Sequence, residues 1–371
     1  AFEKRTRDFI FPCSQEKSNS NPPRTTTPFR LPDAFHSSGR ALVAMLALCV
    51  IPQMTFAQTS VPLPADKYDA REKHFKNIRQ LTFGGENAEA YFSFDDTMLS
   101  YQSRQEGDNC DQIYTMTIDG ANKKRISSGK GRTTCSYYLP DGTVLYATTA
   151  LASDECPPPP DNSKGYVWPL YPSYDVVVAD SSTGKIIKQL TSEKNYDAEA
   201  TVSPVGDRIV FTSLRTGDIE LYSSKLDGSD VKQLTNLPGY DGGAFFSLDG
   251  KKIVFRASRP TGKALEEYQA LLKENLIRPK YLEIFVMDAD GKNQIQVTSN
   301  GKANFAPFFH PDGKRIIFAS NMGDPKGRNF DMYMVNIDGT GLERITYYEE
   351  FDGFPMFTRD GKKIVFCSNR N

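Results

Sequence analysis

"FHPDGKRIIFASN", residues 309–321, is the stretch that decides the fold. Pro-Asp-Gly is turn chemistry: proline presets φ, aspartate bonds nearby backbone amides, and glycine takes φ > 0 without steric cost. On the C-terminal side of the turn, RIIFAS is β-branched and aromatic and suits a strand. On its N-terminal side, NFAPFF is also strand-like, with Pro307 near its start, where a missing N–H is tolerated. The unit is a β-hairpin. Its nearly continuous apolar run implies a sheet covered on both faces.

Worn copies recur along the chain as FSFDDTMLSYQS from Phe92, YLPDGTVLYATT from Tyr138, VSPVGDRIVFTS from Val202, FSLDGKKIVFRAS from Phe246 and FTRDGKKIVFCSN from Phe357. Each earlier copy is followed by a second strand pair around another turn, as in IYTMTIDGANKKRIS, IELYSSKLDGSDVKQLT, EIFVMDADGKNQIQVT and DMYMVNIDGTGLERIT, with DVVVADSSTGKIIKQLT as a variant. Aligned on the turn (Asp96, Gly142, Gly206, Gly250, Gly313, Gly361), the spacing alternates between about 45 and about 64 residues. Four strands per repeat of about 45 residues predict an all-β propeller blade.

Six inner hairpins imply a six-bladed β-propeller of four-stranded antiparallel blades. An outermost-type strand, IRQLT at residues 78–82, precedes the first hairpin, and the last hairpin has no partner strands after it. The simplest topology lets residues 78–82 complete the final blade, so that an N-terminal strand closes the ring and removes exposed sheet edges. The third strand of that blade is missing, so the chain reads as cut short at its C-terminus by about 15 residues, a third of a repeat of about 45.

The balance of charge, a net −1 over 371 residues with 25% charged, points away from nucleic acid. Residues 1–40, rich in Ser, Thr, Asn, Pro and Arg, read as a disordered or overextended leader. In GRALVAMLALCVIPQMTFAQ, Arg40 precedes an apolar run at residues 41–51 and a small-residue site ending at Ala57. That is a signal peptide over residues 41–57, too short to span a bilayer, and it predicts export to the periplasm or beyond. LALC at residues 46–49 raises lipidation as the alternative, with bulky Leu48 against it. A linker at 58–76 then leads to the propeller at 77–371, expected to be a monomer.

Export permits disulfides. Cys367 sits mid-strand in IVFCSN and reads as a small buried apolar residue. Of Cys110, Cys135 and Cys156, spatial economy favours a Cys135–Cys156 bridge among three possible pairings.

Alternation of the turns along an up-and-down blade puts the short Asp-Gly turns on one end of the ring. Two long insertions, ALASDECPPPPDNSKGYVWPLYPSYD and RPTGKALEEYQALLKENLIRPKYLE, fall between second and third strands and so share the other end. Long loops on a rigid scaffold are where recognition resides. The first insertion carries Tyr166, Trp168, Tyr171 and Tyr174, which could form a binding platform or a plug that fixes the loop. The second contains a helix, roughly residues 263–276, with Leu265, Tyr268 and Leu272 on one stripe that either packs on a neighbouring blade or meets a partner.

Aligned repeats also place Asn87, Thr133, Asp197, Asp241, Asn304 and Asp352 where inner strands begin, with Glu89, Cys135, Glu199, Gly243, Ala306 and Phe354 two positions on. Oxygen donors around one axis could hold Ca²⁺, with Asp197, Asp241 and Asp352 as its ligands. The other reading is that Asn and Asp tie down tight loops, and no cofactor is then expected. No G-x-S-x-G, H-E-x-x-H, C-x-x-C or phosphate loop occurs, and His310 reads as a turn residue.

The repeats, idealised as SPDGKKIVFxS followed by IYVMDxDGxxxxQLT, resemble the TolB-like propeller repeats of exported bacterial proteins over residues 80–371. The two insertions resemble a subgroup of that family rather than TolB itself, whose N-terminal α/β domain has no counterpart here. The resemblance implies a non-enzymatic propeller of the bacterial cell envelope that binds a protein or glycan on the insertion-bearing face. Two further functions stay open: the propeller portion of a prolyl oligopeptidase-class serine peptidase, and a channel-metal enzyme similar to six-bladed lactonases.

Overall fold

Asp95, Asp141, Asp249, Asp312 and Asp360 each accept the amide of the residue two places on, at 2.8–3.2 Å, which locks the first turn of their hairpins. These bonds come from a computed structural model, which describes residues 59–370. The leader and signal peptide expected at 1–57 lie outside the described residues. His310 joins the same turn chemistry: its Nδ1 meets the Asp312 amide at 3.1 Å and its carbonyl accepts from Gly313.

The hairpins grow into five four-stranded antiparallel sheets. Blade 1 runs Glu86–Phe92, Met98–Arg104, Gln112–Thr117 and Lys124–Arg125. Blade 2 runs Thr133–Tyr138, Val144–Thr148, Asp175–Ala179 and Ile186–Gln189. Blade 3 runs Asp197–Val202, Arg208–Ser213, Glu220–Lys225 and Lys232–Gln233. Blade 4 runs Asp241–Phe246, Lys252–Ala257, Glu283–Asp288 and Ile295–Gln296. Blade 5 runs Asn304–Phe309, Arg315–Ser320, Asp331–Asn336 and Glu343–Arg344.

The expectation of six four-stranded blades is corrected here: among the described residues there are five, and the last hairpin, Asp352–Phe357 with Ile364–Ser368, is a sheet of two strands. The N-terminal strand does not hydrogen-bond into that sheet either. Arg79–Gln80 pairs antiparallel with Val61–Pro62, and among the described residues no third strand stands between it and the hairpin. Closure rests on side chains instead. The Phe92 amide reaches Met356 Sδ across the seam at 3.1 Å, and the Arg359 amide donates to Asp96 at 3.0 Å. The segment before blade 1 covers the hairpin's outer side, where Phe75 stacks on Phe366 at 5.4 Å and Arg370 grips Glu72 at 2.6 Å.

The core lies between sheets and continues across the axis. Tyr91 of blade 1 and Phe245 of blade 4 approach to 5.4 Å, Tyr91 and Tyr137 to 5.7 Å, and Phe245 and Phe308 to 5.3 Å. Aromatic rings from four inner strands therefore fill the centre of the ring. At the Asp-Gly end, Arg359 from the last hairpin lies over Phe94 and donates to the Pro204 carbonyl at 2.9 Å. The cavity left there is only about 40 Å³.

Candidate functional site

Every inner strand carries a register shift just after its first residues: between Ala88 and Tyr91, Thr134 and Tyr137, Ala198 and Thr201, Gly242 and Phe245, Phe305 and Phe308, and Gly353 and Met356. Such a bulge re-aims a side chain. The re-aimed residues are Glu89, Cys135, Glu199, Gly243, Ala306 and Phe354, all with φ between 46° and 58°. All six line one small cavity of about 20 Å³ at the axis, room for little more than a water. Left-handed backbone at five non-glycine positions is costly, roughly 1 kcal/mol or more each, and the ring of side chains around one axis is what it produces.

The companion set is held differently. Asp197, Asp241 and Asp352 accept from arginines two residues beyond their partner strands: Arg215 at 3.3 Å, Arg259 at 2.7 Å and Arg370 at 2.6 Å. Burial pushes Asp197 up to about 6 and Asp241 up to about 7, against the opposing pull of hydrogen bonds and the nearby guanidinium. Asn87 accepts from Ser103 Oγ at 2.9 Å, and Asn304 donates to the Leu282 carbonyl at 2.7 Å. The carboxylates proposed from the sequence as Ca²⁺ ligands thus each face a cation of the chain itself. Among the described residues, no group of three or more His, Cys, Asp or Glu side chains is arranged to hold a metal ion.

At the axis, Glu199 is the hub. Its carboxylate accepts from Arg256 Nη2 at 2.5 Å, Thr212 Oγ1 at 2.8 Å, the Tyr240 hydroxyl at 3.1 Å and the Gly243 amide at 3.1 Å. A side chain at position 243 would clash, since a Cβ there would stand 2.8 Å from the Arg256 guanidinium. Beside this pair, burial pushes Glu89 up to about 7, a hydrogen bond from Cys135 pulls it down, and the charge of Glu199 adds to the rise. Aligning the repeats identifies Glu89 and Glu199. Arg256, in the middle of an apolar strand, gives no signal beyond being the one charge after the paired lysines in KKIVFRAS.

Arg256 also joins the axis to the insertions. Its guanidinium lies 5.3 Å from the Trp168 ring and 5.5 Å from Phe305. Trp168–Pro169 pairs antiparallel with Leu276–Ile277, so the two insertions meet in a short sheet on one end of the ring, as their positions in the blades require. Of the five aromatic residues expected on this face, Trp168 and Tyr174 are buried, while Tyr171 and Tyr268 are half-buried. Tyr268 donates to Asp218 of blade 3 at 2.5 Å, which docks the helix Gly262–Leu272 onto its neighbour. Tyr166 alone of the five stays exposed, its hydroxyl accepting from Trp168 Nε1 at 2.8 Å.

The disulfide differs from expectation. Cys110 pairs with Cys156, their Cα atoms 6.1 Å apart, and Cys135 is a buried thiol outside any disulfide. The bulge explains the correction: it turns Cys135 toward the axis and away from the insertion, leaving the Cys110 loop of blade 1 as the partner within reach. Cys367 is likewise a buried thiol.

Next to the axis, on the insertion end, lies a cavity of about 520 Å³. Its floor is a chain of phenylalanines: Phe305 to Phe330 at 5.3 Å, Phe330 to Phe351 at 5.9 Å, and Phe351 to Phe354 at 6.1 Å. Its rim carries Arg278, Lys280, Lys302 and Lys326, all exposed, and its lining includes no Asp or Glu. Sequence reasoning missed this rim, because the four cations come from three separate loops.

Residues 277–371 match the family described as TolB beta propeller domain. No curated protein matches the chain. Among solved structures, TolB from Acinetobacter baumannii superposes with a TM-score of 0.53 at 19% identity, over 74% of this chain and 58% of that one. The chain therefore spans less than two thirds of that protein's length. A putative TolB from Agrobacterium tumefaciens gives 0.53 at 16% identity, over 78% of this chain and 94% of that one. Kuenenia stuttgartiensis hydrazine synthase gives 0.51 at 12% identity, over 78% and 45% respectively. At these identities the likeness is one of fold.

Proposed function

We propose that this TolB-like β-propeller, which is not TolB itself, is a non-enzymatic binding protein of the bacterial envelope that takes a partner on its insertion-bearing end. One observation carries the reading: the cavity beside the axis has four exposed cations on its rim, an aromatic floor and no lining carboxylate. Such a site complements an anionic partner with an apolar body, and an acidic segment of an envelope protein or an acidic glycan both fit that description. The opposite end is closed by short turns and Arg359 and offers no comparable space. The Cys110–Cys156 bridge supports export, since such bonds persist in oxidising compartments.

The test is titration with two defined probes, a glutamate-rich peptide and an oligouronate, followed by calorimetry at low and physiological salt. The triple variant Lys280→Glu, Lys302→Glu, Lys326→Glu is expected to lose at least tenfold in affinity for the probe that binds, with its melting temperature unchanged. Equal binding by wild type and triple variant would reject this face as the anion site.

A further inference from the structure

One residue lining the 520 Å³ cavity is held at a cost that its own packing does not recover. Among the described residues, twelve other than glycine have left-handed backbone. Six are Asn or Asp, which tolerate it, and five belong to the axial bulges. The twelfth is Tyr281 of the second insertion, at φ 59°, where a bulky side chain is a steric outlier. Its side chain is 57% exposed, so burial does not offset the strain. Backbone strain of this kind concentrates at ligand clamps and active sites. Resting on the reading of this cavity as the anion site, we propose that Tyr281 is its specificity-determining contact and that the ligand is an acidic glycan, a chain of hexuronates.

The backbone is tied on both sides of Tyr281. Arg278 donates to the carbonyls of Lys164 at 2.9 Å and Tyr166 at 3.2 Å, which joins this rim to the first insertion. Leu282 is buried, and its carbonyl accepts from the amide and the side chain of Asn304 at 3.1 and 2.7 Å. Between these anchors the phenol is a flat surface already in place at the cavity before any ligand arrives.

Two features of the wall favour a sugar over a peptide. An extended peptide draws much of its affinity from main-chain hydrogen bonds to a free strand edge. Here the amides of Lys280, Gly301, Lys302, Ala303, Lys326 and Gly327 already donate to acceptors of the chain itself. What the rim offers instead is an aromatic face and side-chain cations. The Lys280 ammonium stands 4.5 Å from the centre of the Tyr281 ring, so charge and apolar face must be neighbours on the ligand too. Each hexuronate unit meets that requirement: axial C–H bonds make one face of its ring apolar, and the carboxylate is attached to the same ring. The C–H face lies on Tyr281 and the carboxylate meets Lys280, leaving Arg278, Lys302 and Lys326 for adjoining units.

The experiment titrates the full chain with a galacturonate oligomer and, separately, with a glutamate-rich peptide, by calorimetry at physiological salt. Wild type and Tyr281→Phe should bind the oligouronate with similar affinity. Tyr281→Asn removes the ring and suits left-handed backbone. It should bind at least tenfold more weakly, with a melting temperature no lower than that of wild type. Equal affinity of Tyr281→Asn and wild type for the oligouronate overturns the role of Tyr281 while leaving the anion site standing. A melting temperature well below wild type in Tyr281→Asn also overturns it, because the ring would then be serving the fold. Peptide binding as tight as oligouronate binding, or tighter, overturns the choice of ligand. Absence of binding by either probe to wild type overturns the anion site and this inference together.

Discussion

Arg370 ties the last hairpin to the segment before blade 1. It is 2% exposed and gives bonds of 2.6 and 2.7 Å to Glu72 and of 2.6 and 3.2 Å to Asp352, both of which are also buried. Replacing it with methionine keeps much of the volume but strands two buried carboxylates without their cation. Breaking a buried pair in this way costs about 3–5 kcal/mol. For a domain of this size that corresponds to a fall in melting temperature on the order of 10 °C. Arg215 offers an internal comparison, because its bonds to Asp197 are longer, 3.3 Å, and it is less buried. Arg215→Met should cost about 1–2 kcal/mol, the worth of charge-assisted bonds in a partly wet site.

The pH dependence gives the sharper check. Burial raises Asp352 above its ordinary value even with Arg370 present. A raised carboxyl group contributes stability that is present below its unfolded value and lost as pH rises through the folded one. Removing the guanidinium raises Asp352 further, so the deficit of Arg370→Met must be larger at pH 8 than at pH 5. Urea unfolding at both pH values measures it. A deficit below about 1 kcal/mol, or one of equal size at the two pH values, would refute the claim that this cation holds buried charge.

Two other perturbations test the disulfide and the axis. Non-reducing peptide mapping should recover a Cys110–Cys156 crosslink, and a Cys135–Cys156 species would contradict the bulge that turns Cys135 to the axis. Because the bridge closes a loop with a sequence separation of 46, chain entropy sets an upper bound near about 4 kcal/mol on the stability lost in Cys110→Ser with Cys156→Ser. At the axis, Glu89 is raised to about 7, so its contribution is intact below about pH 4.5 and lost as pH passes 7. Glu89→Gln removes that loss, and its stability relative to wild type should improve by roughly 2–3 kcal/mol between pH 5 and pH 8. An unchanged difference across that range would show the carboxylate is solvated.

What the sequence made legible was local. Asp-Gly turns and β-branched runs specify hairpins without distant help, so the repeat and the position of both insertions could be read residue by residue. The two sets of equivalent positions at the starts of the inner strands were also found by alignment. Which of them faces the axis was not, because that is set by a bulge, and a bulge in Glu89 or Phe354 leaves no mark on residue type. The Cys135 pairing failed for the same reason. From composition Trp168 could be a platform or a plug, and its contact with Arg256, two blades away, could not be read from the sequence. Least visible were Glu72 and Phe75: both lie in a segment without periodicity, and their roles exist only because Arg370 and Phe366 are opposite them.

The two ends of the ring differ in a way that bears on recognition. On the Asp-Gly end, turn aspartates accept from their own backbone, and Arg359 bridges the mouth, leaving about 40 Å³. On the other end, Glu199 holds Arg256, Arg256 lies against Trp168 and Phe305, and Phe305 begins the aromatic floor of the 520 Å³ cavity. The floor is therefore fixed from below by a buried ion pair at the axis, while the cations above it stand on exposed loop positions. A rigid apolar base under exposed charge lets attraction act at long range and packing act at contact. Neutralising a rim lysine should then be felt mainly as salt-sensitive weakening, whereas loosening Arg256 would disturb the base itself. Under the proposed function, the first insertion would contribute less through its own aromatics than through the wall it completes.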